Sequence, residues 1–105
     1  KKVRRLALAG ALSMKAEEKN LLVVDEIKLE QIKTKDFATM MAKLQVESAL
    51  FVISEKDDIL ERSCRNIPKA KVIRADGLNV YDILRYKTLV VAKDALDKIQ
   101  QRFAR

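Results

Sequence analysis

Residues 49–53 read ALFVI, a run of five apolar residues with no polar residue inside it. A short apolar run rich in β-branched and aromatic residues is typical of a strand that is buried on both faces. Three further stretches have a similar length and an apolar centre: LLVV at 21–24, KVIRA at 71–75 and TLVV at 88–91. The sequence therefore predicts four strands, and we expect the one at 21–24 to be buried on both faces as well.

Helical patterns lie before the first predicted strand and after each of the four strands. The clearest is the apolar stripe Phe37, Met40, Met41 and Leu44, whose spacing of i, i+3, i+4 and i+7 is that of one helix face. The predicted helices cover residues 1–18, a segment capped by Thr34, a segment that begins at a Ser54–Asp57 capping box and is stopped by Pro68, a short segment capped by Asn79, and residues 93–103.

Two of these helices carry further local expectations. In the short helix after Asn79, the side chains of Val80, Ile83 and Leu84 are expected to point inward. Gly10 lies inside the first predicted helix, where it costs roughly 1 kcal/mol relative to alanine, and close packing of another helix is the ordinary reason for such a glycine.

The alternation of strands and helices defines the fold class. The segments between predicted strands run to about 12 to 24 residues, which is enough for crossover connections between parallel strands. We therefore predict an α/β fold, a three-layer sandwich with a mostly parallel four-stranded sheet and helices on both faces. The 105 residues are expected to form a single domain, 1–105. Because the sequence begins without Met and inside a helical pattern, we expect it to be a fragment of a longer protein.

The charge distribution indicates the class of partner. The formal net charge is +7, and the excess lies at the two ends of the chain. Residues 1–20 carry six basic and two acidic residues, residues 85–105 also carry six and two, and the stretch 21–84 carries ten and eleven. Clustered Lys and Arg on a globular body are typical of a protein that binds a polyanion, although a solvated basic surface is the plain alternative.

The composition excludes several kinds of chemistry. The chain has no His and two Gly, so it lacks the commonest general base and metal ligand and cannot build a glycine-rich phosphate loop. Its single cysteine, Cys64, lies on the apolar side of its helix and is interpreted as a core residue. Five aromatic residues are too few for a platform of several stacking rings. The apolar stretch 6–14 is too short to span a bilayer. We expect no enzyme activity, no cofactor, no metal, no small-molecule substrate and no membrane contact.

Polar residues at the predicted strand ends allow one alternative. Ligands of open parallel sheets bind beyond the carboxyl ends of the strands, where the sequence places Asp25, Glu26, Ser54, Asp76 and Lys93. This set is faintly similar to a phosphate-accepting signalling receiver. That chemistry needs an acceptor Asp directly after a central strand, and the strand at 49–53 is followed by Ser54 instead. The simpler interpretation is that these residues cap helices and begin turns.

Four segments carry a resemblance to a known family. They are KKVRRLAL at 1–8 followed by ALS at 11–13, KTK at 33–35, RNIP at 65–68, and ADGLNVYD at 75–82, of which the last is the most specific. In this order they resemble the C-terminal half of the bacterial large-subunit ribosomal protein L4 family, without the half that carries the long tunnel loop. The resemblance covers essentially the whole chain.

The resemblance implies a non-catalytic α/β domain that binds large-subunit ribosomal RNA and supports subunit assembly. It implies neighbouring ribosomal proteins as further partners and a place in the ribosome, in the cytoplasm or in an organelle. A protein-interaction module that docks through the amphipathic helix 94–103 is the second hypothesis. The expected RNA contacts are basic residues that cluster in the sequence: Lys1, Lys2, Arg4, Arg5, Lys33, Lys35 and Arg65.

Overall fold

The computed structural model describes residues 2–27, 29 and 32–103, with the backbone alone for residues 2–7, 102 and 103. The described part contains four strands, β1 Leu21–Val24, β2 Ala49–Ile53, β3 Ala70–Arg74 and β4 Thr88–Ala92. It also contains five helices, α1 Lys2–Glu17, α2 Thr34–Lys43, α3 Asp58–Cys64, α4 Val80–Arg85 and α5 Lys93–Phe103, and a short 3₁₀ turn, Ala75–Gly77.

The four strands form one sheet in the order β1-β4-β2-β3, and all three neighbouring pairs are parallel. β2 and β4 lie in the centre, where Leu50 pairs with Leu89 and Phe51 with Val90. Every residue of β2 is buried, as expected from its uninterrupted apolar run. The predicted parallel α/β fold is confirmed.

Helices lie in layers on this sheet. The steps from β1 to β2 and from β2 to β3 run in one direction across the sheet, and the step from β3 to β4 runs back. Right-handed crossovers therefore place α2 and α3 on one face and α4 on the other. The contacts agree, since α2 packs on α3 and α1 packs on α4. α5 packs on β4 and on the 3₁₀ turn, which completes the three-layer arrangement.

The core is aliphatic with one aromatic pair. The rings of Phe37 on α2 and Phe51 on β2 meet edge to face with centroids 4.9 Å apart, and both side chains are fully buried. Ile83 of α4 and Ile99 of α5 are buried as well. These three helices therefore each contribute apolar side chains to the same core.

Several local expectations were wrong. β1 is an edge strand, so it is only partly buried, and Val23 is 50% exposed. β3 begins and ends one residue earlier than predicted. Leu84 points outward and is 54% exposed. Gly10 is exposed, and a Cβ built on it would meet no atom within 4 Å, so close packing does not explain this glycine.

The predicted helix starts were right in two of the four segments after the strands. Asn79 caps α4, because its side chain accepts a hydrogen bond from the backbone N–H of Asp82. α5 begins at Lys93, as predicted. Thr34 is the first residue of α2 and not its cap, and the N-cap position belongs to Lys33. The predicted capping box after β2 is also wrong, because Asp57 is the N-cap of α3.

Candidate nucleic-acid interface

Two of the predicted contact residues, Lys33 and Lys35, lie exposed at the start of α2. The backbone N–H of Lys33 donates a hydrogen bond to the hydroxyl of Ser63 at 3.1 Å. Ser63 is fully buried on α3, so this bond fixes the N-terminus of α2 against the neighbouring helix. The two lysines therefore extend from a rigidly held backbone.

The electrostatics at the N-terminus of α2 favour binding of an anion. Lys33 has an extended backbone and supplies no side-chain cap, so its side chain does not cover the first N–H groups of α2. These groups and the helix dipole attract negative charge. Arg62, the residue before Ser63, is exposed as well. We call Lys33, Lys35 and Arg62 the α2 basic cluster. One acid, Asp36 in the first turn of α2, reduces its net charge.

Arg65 has different neighbours from the residues of the α2 basic cluster. It follows the last residue of α3 and lines a groove of about 350 Å³ between α3 and the edge strand β3, together with Glu61 and Lys71. Among the described residues Arg65 forms no ion pair, whereas the ammonium of Lys71 lies 3.1 Å from a carboxylate oxygen of Asp82. Arg65 is therefore a solvated cation on the same side of α3 as the sheet edge.

The N-terminal basic residues are only partly covered by the structure. Lys1 lies outside the described residues, and Lys2, Arg4 and Arg5 lie in α1 with side chains outside the description. Their role as contacts remains a prediction. Lys15, a further basic residue of this helix, is 5% exposed and donates hydrogen bonds to the carbonyl oxygens of Tyr86 and Lys87. It is therefore unavailable to an external phosphate.

The strand ends form a cleft of about 310 Å³ whose lining includes four acidic side chains and one basic side chain. The Ser54 hydroxyl donates to the carboxylate of Asp94 at 2.7 Å, and the ammonium of Lys98 donates to the Ser54 carbonyl at 2.9 Å. Asp76 is exposed in the 3₁₀ turn, and its carboxylate lies 3.8 Å from the guanidinium of Arg74. Ser54 is thus already engaged, and no acceptor Asp follows the central strand β2. The receiver hypothesis gains no support from this arrangement.

Within the described ranges there is no group of three or more His, Cys, Asp or Glu side chains that could hold a metal ion. In the same part of the chain, no helix is both long and apolar enough to traverse a bilayer. Burial raises the pKa of the Cys64 thiol to about 11, from its ordinary value of 9.0. Cys64 is therefore a protonated core thiol at neutral pH, as its position on the apolar side of α3 predicts.

The most specific motif of the sequence, 75–82, has a structural role in linking β3 to α4. Asn79 accepts a hydrogen bond from the backbone N–H of Asp82 and donates one to its carboxylate, each at 2.9 Å. The Asp82 side chain is buried and also accepts from Lys71 at 3.1 Å. Leu78 is buried beneath the turn. The motif thus joins β3 to α4, and sequence reasoning missed the Lys71–Asp82 pair because its members lie in different elements.

Known proteins similar to this chain belong to a ribosomal protein family. The model of the Ribosomal protein L4/L1 family matches residues 1–102. The large ribosomal subunit protein uL4 of Pelotomaculum thermopropionicum is 51% identical over 104 residues, covering 99% of this chain and 50% of the relative. The uL4 proteins of Desulforamulus reducens and Desulfosudis oleivorans are 45% and 49% identical, covering 99% and 97% of this chain and 50% and 49% of the relatives. The chain spans about half the length of these curated relatives.

Proposed function

Because the chain belongs to the Ribosomal protein L4/L1 family, we propose that it is a non-catalytic part of the large ribosomal subunit that binds ribosomal RNA. The observation that carries the proposal is the family match over residues 1–102, which confirms the resemblance seen in the four motifs. The relatives are named large ribosomal subunit proteins, and that name supports a place in the ribosome. Ribosomal RNA as the partner is our inference from charge and from the family.

The proposed mechanism is scaffolding. The buried parallel sheet and its helices form a rigid body, and exposed cations on that body meet RNA phosphates. The α2 basic cluster, with its uncapped helix start, supports one such contact region. Arg65 beside β3 supplies a further cation, and Lys1, Lys2, Arg4 and Arg5 are proposed to supply others. Neutralising phosphate charge in this way would support assembly of the subunit.

Neighbouring ribosomal proteins are proposed as further partners, and the ribosome, in the cytoplasm or in an organelle, as the location. The docking hypothesis for helix 94–103 depended on the apolar face of that helix. In the structure that face packs on the chain's own sheet, with Ala95 and Ile99 buried. The apolar stripe of α5 therefore explains folding, and the RNA-binding proposal is preferred.

The salt dependence of RNA affinity tests the proposal. Binding of the chain to large-subunit ribosomal RNA is measured by filter binding at several salt concentrations. With roughly four to seven phosphate contacts, the slope of log affinity against log salt is expected near −3 to −6. A slope near zero would rule out phosphate neutralisation as the mechanism.

A pair of charge-matched double variants tests the α2 basic cluster. Lys33→Gln with Lys35→Gln is expected to make the slope shallower by about 1.4 to 1.8, since each lost phosphate contact contributes about 0.7 to 0.9. Lys56→Gln with Lys69→Gln removes the same charge from exposed positions outside the cluster. Equal slopes for the two double variants would show that the cluster makes no specific contact.

A further inference from the structure

The aromatic side chains that the structure describes differ sharply in exposure. Phe37 and Phe51 are fully buried and meet edge to face, and Tyr86 is 6% exposed. Tyr81 is 70% exposed. A large apolar ring held in solvent needs an explanation, because burial of such a ring is favourable by a few kcal/mol. Tyr81 has no part in the proposed phosphate contacts.

The helix α4 presents Tyr81 together with two other exposed side chains. Tyr81, Leu84 and Arg85 are spaced i, i+3 and i+4, so they share one face, while Asp82 and Ile83 are buried on the other side. We call these three residues the α4 outer face. Leu84 is 54% exposed. The face thus combines an aromatic ring, an aliphatic side chain and a cation, whose guanidinium lies over the neighbouring ring of Tyr86, 5.6 Å from its centroid.

The backbone under the α4 outer face is held at both ends. Asn79 caps the start of α4 by accepting from the backbone N–H of Asp82, and Lys71 bonds to the Asp82 carboxylate. The ammonium of Lys15 binds the carbonyl oxygens of Tyr86 and Lys87 just after the helix. A ring on such a fixed segment loses little conformational freedom when a ligand packs on it.

Charge and size point to the occupant. Arg85 is the exposed charged group of α4 at neutral pH, because the Asp82 carboxylate is buried and bonded to Lys71. The face is therefore positive, like the chain as a whole with its net charge of +7. Two large apolar side chains fall far short of the roughly 1,000 Å² that a specific protein–protein interface buries. One ring is the right size for one nucleobase.

We propose that the α4 outer face binds an unpaired nucleotide of RNA, with the base stacked on the ring of Tyr81. Leu84 packs beside the stacked base, and Arg85 meets the adjacent phosphate. This is one stacking position, not the platform of several rings that the composition excludes. The inference depends on the proposed RNA-binding function and adds a contact that phosphate neutralisation does not provide.

Three variants at position 81 test the stacking contact on large-subunit ribosomal RNA. Tyr81→Ala is expected to weaken binding about 5- to 150-fold at constant salt, the range for loss of one stacked base. Tyr81→Phe keeps the ring and is expected to stay within about twofold of the parent chain. Tyr81→Leu keeps apolar volume without a π-face and is expected to behave like Tyr81→Ala. Because stacking neutralises no phosphate, the salt slope stays unchanged in all three.

Tyrosine fluorescence provides a second readout. The chain has two tyrosines and no tryptophan, so the difference in emission between the parent chain and Tyr81→Phe isolates Tyr81. RNA is expected to quench this difference signal. Circular dichroism and thermal unfolding check that the variants fold.

The outcomes separate the two proposals. RNA binding with the expected salt slope but equal affinity in Tyr81→Ala overturns the stacking contact alone. Full affinity in Tyr81→Leu also overturns it, since an apolar contact such as that of a protein partner would then suffice. Absence of RNA binding by the parent chain at every salt concentration overturns the RNA-binding function and the stacking contact with it.

Discussion

The ammonium nitrogen of Lys15 lies 2.7 Å from the carbonyl oxygen of Tyr86, 71 positions further along the chain. The same ammonium lies 2.9 Å from the carbonyl oxygen of Lys87, and the Lys15 side chain is 5% exposed. These carbonyls follow the last turn of α4, where the helix dipole favours a positive charge. Lys15 thus fastens α1 to the end of α4.

Lys15→Met is expected to lower the free energy of unfolding by about 1 to 3 kcal/mol. The methionine fills a similar volume but leaves the buried carbonyl oxygen of Tyr86 and the part-buried carbonyl oxygen of Lys87 without this donor. Urea denaturation gives the value. Lys69→Met serves as the control, because Lys69 is exposed, and it is expected to change stability by less than about 0.5 kcal/mol. Equal midpoints for the two variants would contradict a structural role for Lys15.

The N-caps Asp57 and Asn79 differ in the number of hydrogen bonds that they make to their helix. The Asp57 side chain accepts one hydrogen bond, from the backbone N–H of Leu60. Asn79 accepts one from Asp82 and also donates to the buried Asp82 carboxylate. Asp57→Ala is expected to cost about 1 kcal/mol, and Asn79→Ala is expected to cost more. Urea denaturation of both variants in the same buffer tests the order, and a larger loss for Asp57→Ala would refute it.

Gly10→Ala is expected to stabilise the chain by roughly 0.5 to 1 kcal/mol. Gly10 is exposed inside α1, and a methyl group there meets no neighbouring atom. Ser13→Ala, also at an exposed position of α1, is expected to gain less stability, because serine is already a better helix former than glycine. Thermal unfolding provides the comparison. A lower melting temperature for Gly10→Ala would contradict the open space around this position.

Stability is expected to fall at alkaline pH partly through Cys64. Burial raises the pKa of the folded-state thiol to about 11, against 9.0 for an ordinary cysteine. Below pH 9 the thiol is protonated in both states, so its contribution is fully present. Between about pH 9 and 11 the unfolded chain loses the proton and the folded chain keeps it, so folding becomes less favourable as pH rises.

Cys64→Ala isolates this contribution. Urea denaturation from pH 8 to 11 is expected to show a shallower loss of stability in Cys64→Ala than in the parent chain. The comparison uses the slope with pH, because the substitution also removes packing in the core. Parallel curves would show that the thiol ionises alike in both states. At neutral pH, a thiol reagent is expected to modify Cys64 only after unfolding.

Prediction from the sequence succeeded where the signal is local. The apolar run of β2 and the capping of α4 by Asn79 are both contained in a few neighbouring residues. It failed for the local caps predicted at Thr34 and Ser54, because each cap lies at another residue. It also failed where the outcome depends on distant residues. β1 is as apolar as β4, and only the order of strands makes β1 an edge.

The candidate site shows the same division. Exposed lysines next to the start of α2 were predicted from the motif at 33–35. The anchoring of that start by Ser63, 30 positions away, was not predicted, although a serine on the apolar side of a helix is a signal of such a bond. Nor did periodicity distinguish Lys15 from its solvated neighbours, since its partners lie in the last third of the chain.

The strand order has a consequence for synthesis on the ribosome. Leu21 pairs with Leu89 and Val24 with Ala92, so β1 acquires its hydrogen-bonded neighbour only after β4 has been translated. β2 and β3, by contrast, are adjacent both in the chain and in the sheet. A nascent chain is therefore expected to pair β2 with β3 early and to leave β1 protease-sensitive until residue 92 has emerged. Limited proteolysis of stalled chains of increasing length would show protection of β1 appearing only at the final stage.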